Sequence, residues 1–135
     1  MYLIDTSVWI AYFRGHNHRA SEYFNHILDD QLPFGITPVI YQEILQGAAS
    51  QKDFDKLKLY LSTMRFFYPE DPIVAHQEAA HIFLKCRSKG FTIRSTIDCF
   101  IAHTAIAHQL ILVHHDQDYQ RIQTVFPELR NYDTP

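Results

Sequence analysis

Short apolar segments alternate with helix-spaced apolar stripes along the whole chain, and this alternation restricts it to folds built from βα units. Residues 1–4 are the first such segment; Leu32 to Ile36, residues 65–68 and Leu110 to Val113 are further runs of strand length. A last extended piece is expected near Leu129. Asp5-Thr6-Ser7 offers helix N-caps, and Val8 to Phe13 continues as an apolar helix that stops near Gly15. Ala20, Tyr23, Phe24, Ile27 and Leu28 repeat at helical spacing. Thr37-Pro38 reads as an N-cap followed by proline at the first helical position, with Ile40, Ile44, Leu45 and Ala48 as the stripe behind it. Phe54, Leu57, Leu61 and Met64 make another stripe, and Ala75, Ala79, Ile82, Phe83 and Cys86 a further one that ends by Gly90. Ser95 starts a helix that runs to about His108, and a short helix follows Asp116. Strands joined in this way lie parallel with helices on both faces, so the predicted fold is a three-layer α/β/α sandwich with a short, mostly parallel central sheet.

The length, 135 residues, suits one domain spanning 1–135, and a chain of this size buries roughly two-thirds of its unfolded surface. A net charge of -3 argues against a protein that grips nucleic acid by bulk positive charge. It leaves room for an enzyme that meets phosphates through bound cations. No apolar run approaches the ~20 residues needed to cross a membrane, and the first residues do not read as a signal peptide. With only two cysteines, Cys86 and Cys99, no disulfide framework is expected. These features place the protein in a reducing cytoplasm.

Four acidic residues stand in apolar surroundings. Asp5 follows the first strand directly, and Asp116 follows the segment Leu110 to Val113 after two histidines. In open parallel sheets, ligands bind beyond the carboxyl ends of the strands. Glu43 falls at the border of its helix's buried stripe, at ~100° per residue. Asp98 shares a helix face with Ile97, Ile101, Ala102 and Ala105. A plain capping role is the competing explanation for Asp5 and Asp116, and Ser95-Thr96-Ile97-Asp98 loosely fits a capping box. A surface position explains Glu43 equally well. Carboxylates brought together repel, and a divalent cation relieves them most simply. All-oxygen ligands favour magnesium or manganese over zinc. Such an ion activates water and offsets charge on a phosphodiester under attack.

Other residues weigh less. Arg94, four positions before Asp98, is a candidate for binding substrate phosphate or for balancing the acids. Nine histidines invite a zinc reading, but their spacing makes no convincing ligand set; His115 is a candidate substrate contact. Cys86 and Cys99 read as small buried hydrophobes. Trp9 is assigned to the core, while Tyr12 and Phe13 fit either core or a dimer surface.

Four blocks in order now resemble the PIN-domain family, and specifically the VapC-type toxins of bacterial toxin–antitoxin pairs. They are Tyr2-Leu3-Ile4-Asp5-Thr6-Ser7-Val8, Glu43 within Val-Ile-Tyr-Gln-Glu-Ile, Arg-Ser-Thr-Ile-Asp98-Cys-Phe-Ile-Ala, and Leu-Val-His-His-Asp116-Gln-Asp118-Tyr. The resemblance implies a magnesium- or manganese-dependent endoribonuclease that leaves a 5′-phosphate and a 3′-hydroxyl. It implies that Asp5, Glu43 and Asp98 are the three principal acids, Asp116 the fourth, and Asp118 a less essential acid after it. Thr6 matches a hydroxyl residue that supports the site. His114 stands where many relatives have Thr or Ser. The resemblance further implies a homodimer, a structured RNA substrate such as tRNA or ribosomal RNA, and inhibition by a cognate VapB-like antitoxin. Promoter DNA would be bound only through that antitoxin. The alternatives are a non-catalytic PIN-like binding or regulatory module, against which the full acid set counts, and an aspartyl-phosphate phosphatase. The latter needs an aspartate where Ser7 stands.

Overall fold

All strands run parallel in one sheet, in the order β3-β2-β1-β4-β5. The strands are β1 (Tyr2–Ile4), β2 (Phe34–Ile36), β3 (Arg65–Phe66), β4 (Ile111–Val113) and β5 (Arg130–Asn131). The helices are α1 (Thr6–Arg14), α2 (Arg19–Asp29), α3 (Pro38–Gln46), α4 (Gln51–Leu61), α5 (Pro72–Ser88), α6 (Thr96–Ala107) and α7 (Gln117–Val125). This computed structural model describes residues 1–133; residues 134 and 135 of the expected domain lie outside the described residues.

The order dictates the layers. From β1 the chain steps outward to β2 and β3, then returns across the sheet to β4 and β5. Right-handed crossovers then put α1–α4 on one face and α5–α7 on the other. The helix packing agrees, since α1 meets α2 and α3, and α5 meets α6 and α7. Trp9 is fully buried in the first layer, edge-on to Phe24 with ring centroids 4.8 Å apart. Tyr12 and Phe13 reach the surface instead. Tyr119, Ile122 and Leu129 are buried in the second layer. Both cysteines are buried and free. Among the described residues, no helix is long and apolar enough to cross a membrane.

Local signals set most boundaries. Thr37 caps α3 by accepting from the Ile40 amide, and Pro38 occupies its first turn. Gly15 ends α1 in the left-handed conformation at φ 68°, where a Cβ would be strained. Ala48 and Met64 fall beyond the ends of α3 and α4, and the strand expected over 65–68 shortens to Arg65–Phe66. Terminal turns fray in this way because helix ends lack internal hydrogen-bond partners. Ile97 departs further from its expected place. It sits in the first turn of α6 with 36% of its surface exposed, and does not close over Asp98.

β2 and β3 approach closely at Gly35, which pairs with Arg65. A Cβ there would lie 2.5 Å from the Arg65 carbonyl oxygen and 2.6 Å from the Phe67 ring. Gly35→Ala is therefore expected to lower stability by about 1–3 kcal/mol, the range for overpacking. Urea denaturation checks this; an unchanged midpoint would contradict the strand register described here.

Candidate active site

The strand order reverses between β1 and β4, which leaves a crevice beyond their carboxyl ends. Asp5 leaves β1 at this point, and its amide donates to the Val113 carbonyl at the end of β4 (3.0 Å). Its carboxylate caps α1: Oδ2 accepts from the Ser7 amide (3.1 Å) and the Ser7 hydroxyl (2.6 Å). Oδ1 accepts from the Tyr119 hydroxyl at 2.9 Å. The capping explanation thus holds for Asp5, and so does its place in the crevice.

Glu43 projects from α3 and is half-buried, accepting from the Thr6 hydroxyl at 2.8 Å. Burial raises its pKa, the Thr6 bond opposes the rise, and the charge on Asp5 adds to it. Asp98 projects from the first turn of α6. The capping box does not form, because the Ser95 side chain makes no cap hydrogen bond. Burial, then the charges of Asp5 and Asp116, push Asp98 up to about 7, with Glu43 adding to the rise and a Tyr119 hydrogen bond opposing it. The four acids the sequence singled out therefore share one field.

Their partners divide them. Asp116 caps α7 through the Asp118 amide (2.9 Å) and pairs with Arg94 Nη2 at 2.8 Å. Asp118 is fully buried. It accepts from the Arg94 amide (3.0 Å), from Arg94 Nε (3.1 Å) and from Arg121 Nη1 (2.7 Å). Burial alone would raise its pKa, but these donors win and hold it below the usual carboxylate range. Among the described residues, Asp5, Glu43 and Asp98 have no Lys, Arg or His ion pair. Arg94 thus serves the acids, while its side chain stays 70% exposed.

Asp98, Asp116 and Asp118 each offer one oxygen within 4.8 Å of the others, so they could hold a cation. Asp118 is the weakest member of that triad, since two arginines already neutralise it. The acids that lack a counter-charge are the chemically stronger ligands, and Asp116 keeps 30% of its side chain exposed.

Tyr119 joins the site without having been a sequence candidate. It is fully buried, and its hydroxyl lies 2.9 Å from Asp5 and 3.3 Å from Asp98. Burial and those two charges raise its pKa well above the ordinary value, so it stays a neutral donor. One hydroxyl has one proton, so it cannot fully serve both carboxylates. The available signal was the stripe Tyr119–Ile122 in α7: a tyrosine on a buried stripe needs a partner for its hydroxyl. His114 is buried beside it, with ring centroids 5.0 Å apart, and its Nδ1 accepts from the Asp116 amide at 3.3 Å.

A parallel sheet with acids gathered at its reversal point describes a class of α/β proteins that bind ligands beyond the strand ends, and the comparisons name the family. The PIN domain profile matches residues 2–125, and the chain belongs to the PIN-domain family. The ribonuclease VapC11 of Mycobacterium tuberculosis is 32% identical over 126 residues, covering 93% of each chain. The fold matches that of VapBC-1 from nontypeable Haemophilus influenzae, with a TM-score of 0.72 at 20% identity over 98% of this chain and 96% of that one. It also matches VapBC2 of Rickettsia felis bound to a DNA fragment from their promoter, with a TM-score of 0.70 at 21% identity over 98% of each chain.

The Asp98 shift has a sign that can be tested. Unfolded, an aspartate titrates near ~3.9; folded, Asp98 titrates at about 7. Its contribution is therefore fully present below the unfolded value and is lost as pH rises to about 7. In a chelator at pH 8, Asp98→Asn is expected to be more stable than the parent by about 1 kcal/mol, after discounting for solvent screening. At pH 4 the advantage should vanish. Thermal unfolding at both pH values measures it, and a variant less stable at pH 8 would contradict the electrostatic description.

Proposed function

We propose that this protein is a magnesium- or manganese-dependent endoribonuclease, the toxin of a toxin–antitoxin pair. One observation supports the metal above all: Asp5, Glu43 and Asp98 crowd one crevice and, among the described residues, none of them has an ion pair with Lys, Arg or His, while arginines serve Asp116 and Asp118. The residues present fit a hard divalent cation, being all oxygen donors. Asp5, Glu43, Asp98 and Asp116 would hold it, with Asp118 behind them as an anchor for Arg94. When bound, the ion supplies an activated water and offsets charge on the phosphodiester.

The chain's own residues do the rest by positioning. Ser7 and Tyr119 fix the Asp5 carboxylate from two sides, and Thr6 fixes Glu43. Arg94 and Arg121 keep Asp118 ionised, which in turn holds the Arg94 fork across the mouth of the crevice. No side-chain nucleophile is required, and hydrolysis leaves a 5′-phosphate and a 3′-hydroxyl.

The named relative supports RNA as the substrate, and structured RNA such as tRNA or ribosomal RNA is the proposed class. The VapBC neighbours support a VapB-like antitoxin, through which promoter DNA would be met. Tyr12, Phe13 and Tyr60 form an exposed aromatic strip on α1 and α4 that suits an antitoxin segment. The chain is further proposed to act as a homodimer. The proposed setting is the cytoplasm, as a single domain.

Purified protein with manganese is expected to cleave RNA and to lose the activity in a chelator. Asp5→Asn, Glu43→Gln and Asp98→Asn should each lose roughly 100-fold or more, the scale of removing one preorganised electrostatic contact. Asp118→Asn should lose stability before it loses activity. Gel assays of end-labelled RNA decide the matter, and an Asp98→Asn variant as active as the parent would refute the assignment.

A further inference from the structure

His18 and His115 lie face to face, with ring centroids 3.8 Å apart and planes 5° from parallel. Each ring is held by a separate device. His18 is the N-cap of α2: its Nδ1 accepts from the Ser21 amide (3.1 Å), while the Ser21 hydroxyl accepts from the His18 amide (2.9 Å). His115 is held through its backbone, whose amide donates to the Ser7 hydroxyl at 3.1 Å. That same hydroxyl donates to Asp5 at 2.6 Å. The stacked pair is thereby tied, two hydrogen bonds away, to a carboxylate of the crevice.

His115 is exposed, and with Arg94, Asp116, Gln117 and Arg121 it lines a cleft of about 440 Å³. One face of its ring rests on His18, and among the described residues no other ring packs against it. Burial, then the neighbouring His115, lowers the pKa of His18, which favours a neutral flat surface over a charged one. The two arginines at the cleft have N–H groups to spare. Arg94 commits its Nε and Nη2 to carboxylates and Arg121 its Nη1, out of five N–H donors on each fork. A flat ring flanked by arginines is the combination that holds single-stranded nucleic acid, by base stacking and phosphate contacts.

Resting on the ribonuclease reading, we propose that His115, backed by His18, stacks on an unpaired base next to the scissile phosphate, while Arg94 and Arg121 take the adjoining phosphates. The platform selects substrate. A base inside a duplex cannot reach it, so cleavage is directed to loops and single-stranded segments. His115 touches substrate here, and His18 is a positioning residue.

The test uses a short single-stranded oligoribonucleotide carrying 2-aminopurine at each position in turn. Binding is measured with manganese in an Asp98→Asn background, so that the RNA is not cut. One position should be quenched on binding. Adding His115→Ala should abolish that quenching and weaken binding about tenfold, the scale of one lost base stack. His115→Phe should restore both. His18→Asn keeps an N-cap acceptor while removing the ring, and should give an intermediate loss with an unchanged melting temperature. In the otherwise native enzyme, His115→Ala should raise KM for single-stranded RNA and leave kcat nearly unchanged. If His115→Ala binds and quenches like its background, or His115→Phe behaves like His115→Ala, the platform is overturned while cleavage by the parent still stands. A parent that neither binds nor cleaves RNA overturns both readings.

Discussion

Mutual repulsion among carboxylates at the ends of β1 and β4 is the constraint around which this molecule is arranged. Asp5, Glu43, Asp98 and Asp116 come from distant parts of the sequence, yet burial and then the charges of the others lift Asp98 to about 7. Such an arrangement costs free energy that something else must supply. The buried sheet and the Trp9 and Tyr119 layers supply it as packing, since Leu3, Ile4, Leu112 and Val113 have no exposed surface at all.

The structure sorts the acids by what neutralises them. Asp118 is the structural one, buried and held by two arginines, and a buried charge of this kind persists only because it is fully paired. Asp116 stands between, capping α7 and sharing Arg94. Asp5 and Glu43 have only neutral donors, and Asp98 has a share of one hydroxyl. An unmet demand for positive charge is thereby concentrated at one end of the sheet, beside a cleft whose arginines face outward. Electrostatics of this kind suits a polyanionic substrate that arrives together with cations, and it reconciles a net charge of -3 with nucleic-acid chemistry.

Much of this was legible in the sequence because its causes are local. Short apolar runs and helical stripes mark the elements, Thr37-Pro38 and Gly15 mark helix ends, and the placement of Asp5 and Asp116 after apolar runs marks the sheet edge. Asp98 stood out as an aspartate on an Ile/Ala face, although Ile97 at the start of that face proved to be exposed. What could not be read depends on pairings between distant segments. Tyr119 reaching Asp5, Arg94 closing on Asp118, and His18 meeting His115 leave no periodic trace, whereas Arg121 sits one helical turn from Asp118. His18 as an N-cap was also hidden, because imidazole is not among the usual capping side chains. The standing of Asp118 against Asp116 is set by burial and by Arg94, 24 residues away along the chain, together with Arg121 one helical turn further on, so only the fold could rank them.

The most direct measurement is manganese anomalous diffraction from crystals of the protein soaked in that ion. A peak is expected between Asp98 and Asp116, about 2.1 Å from carboxylate oxygens, with Asp5 and Glu43 turned toward it and Arg94 still on Asp118. A peak held by Asp118 with Arg94 displaced, or none at a saturating manganese concentration, would contradict the claim that the unpaired carboxylates exist to hold a divalent ion.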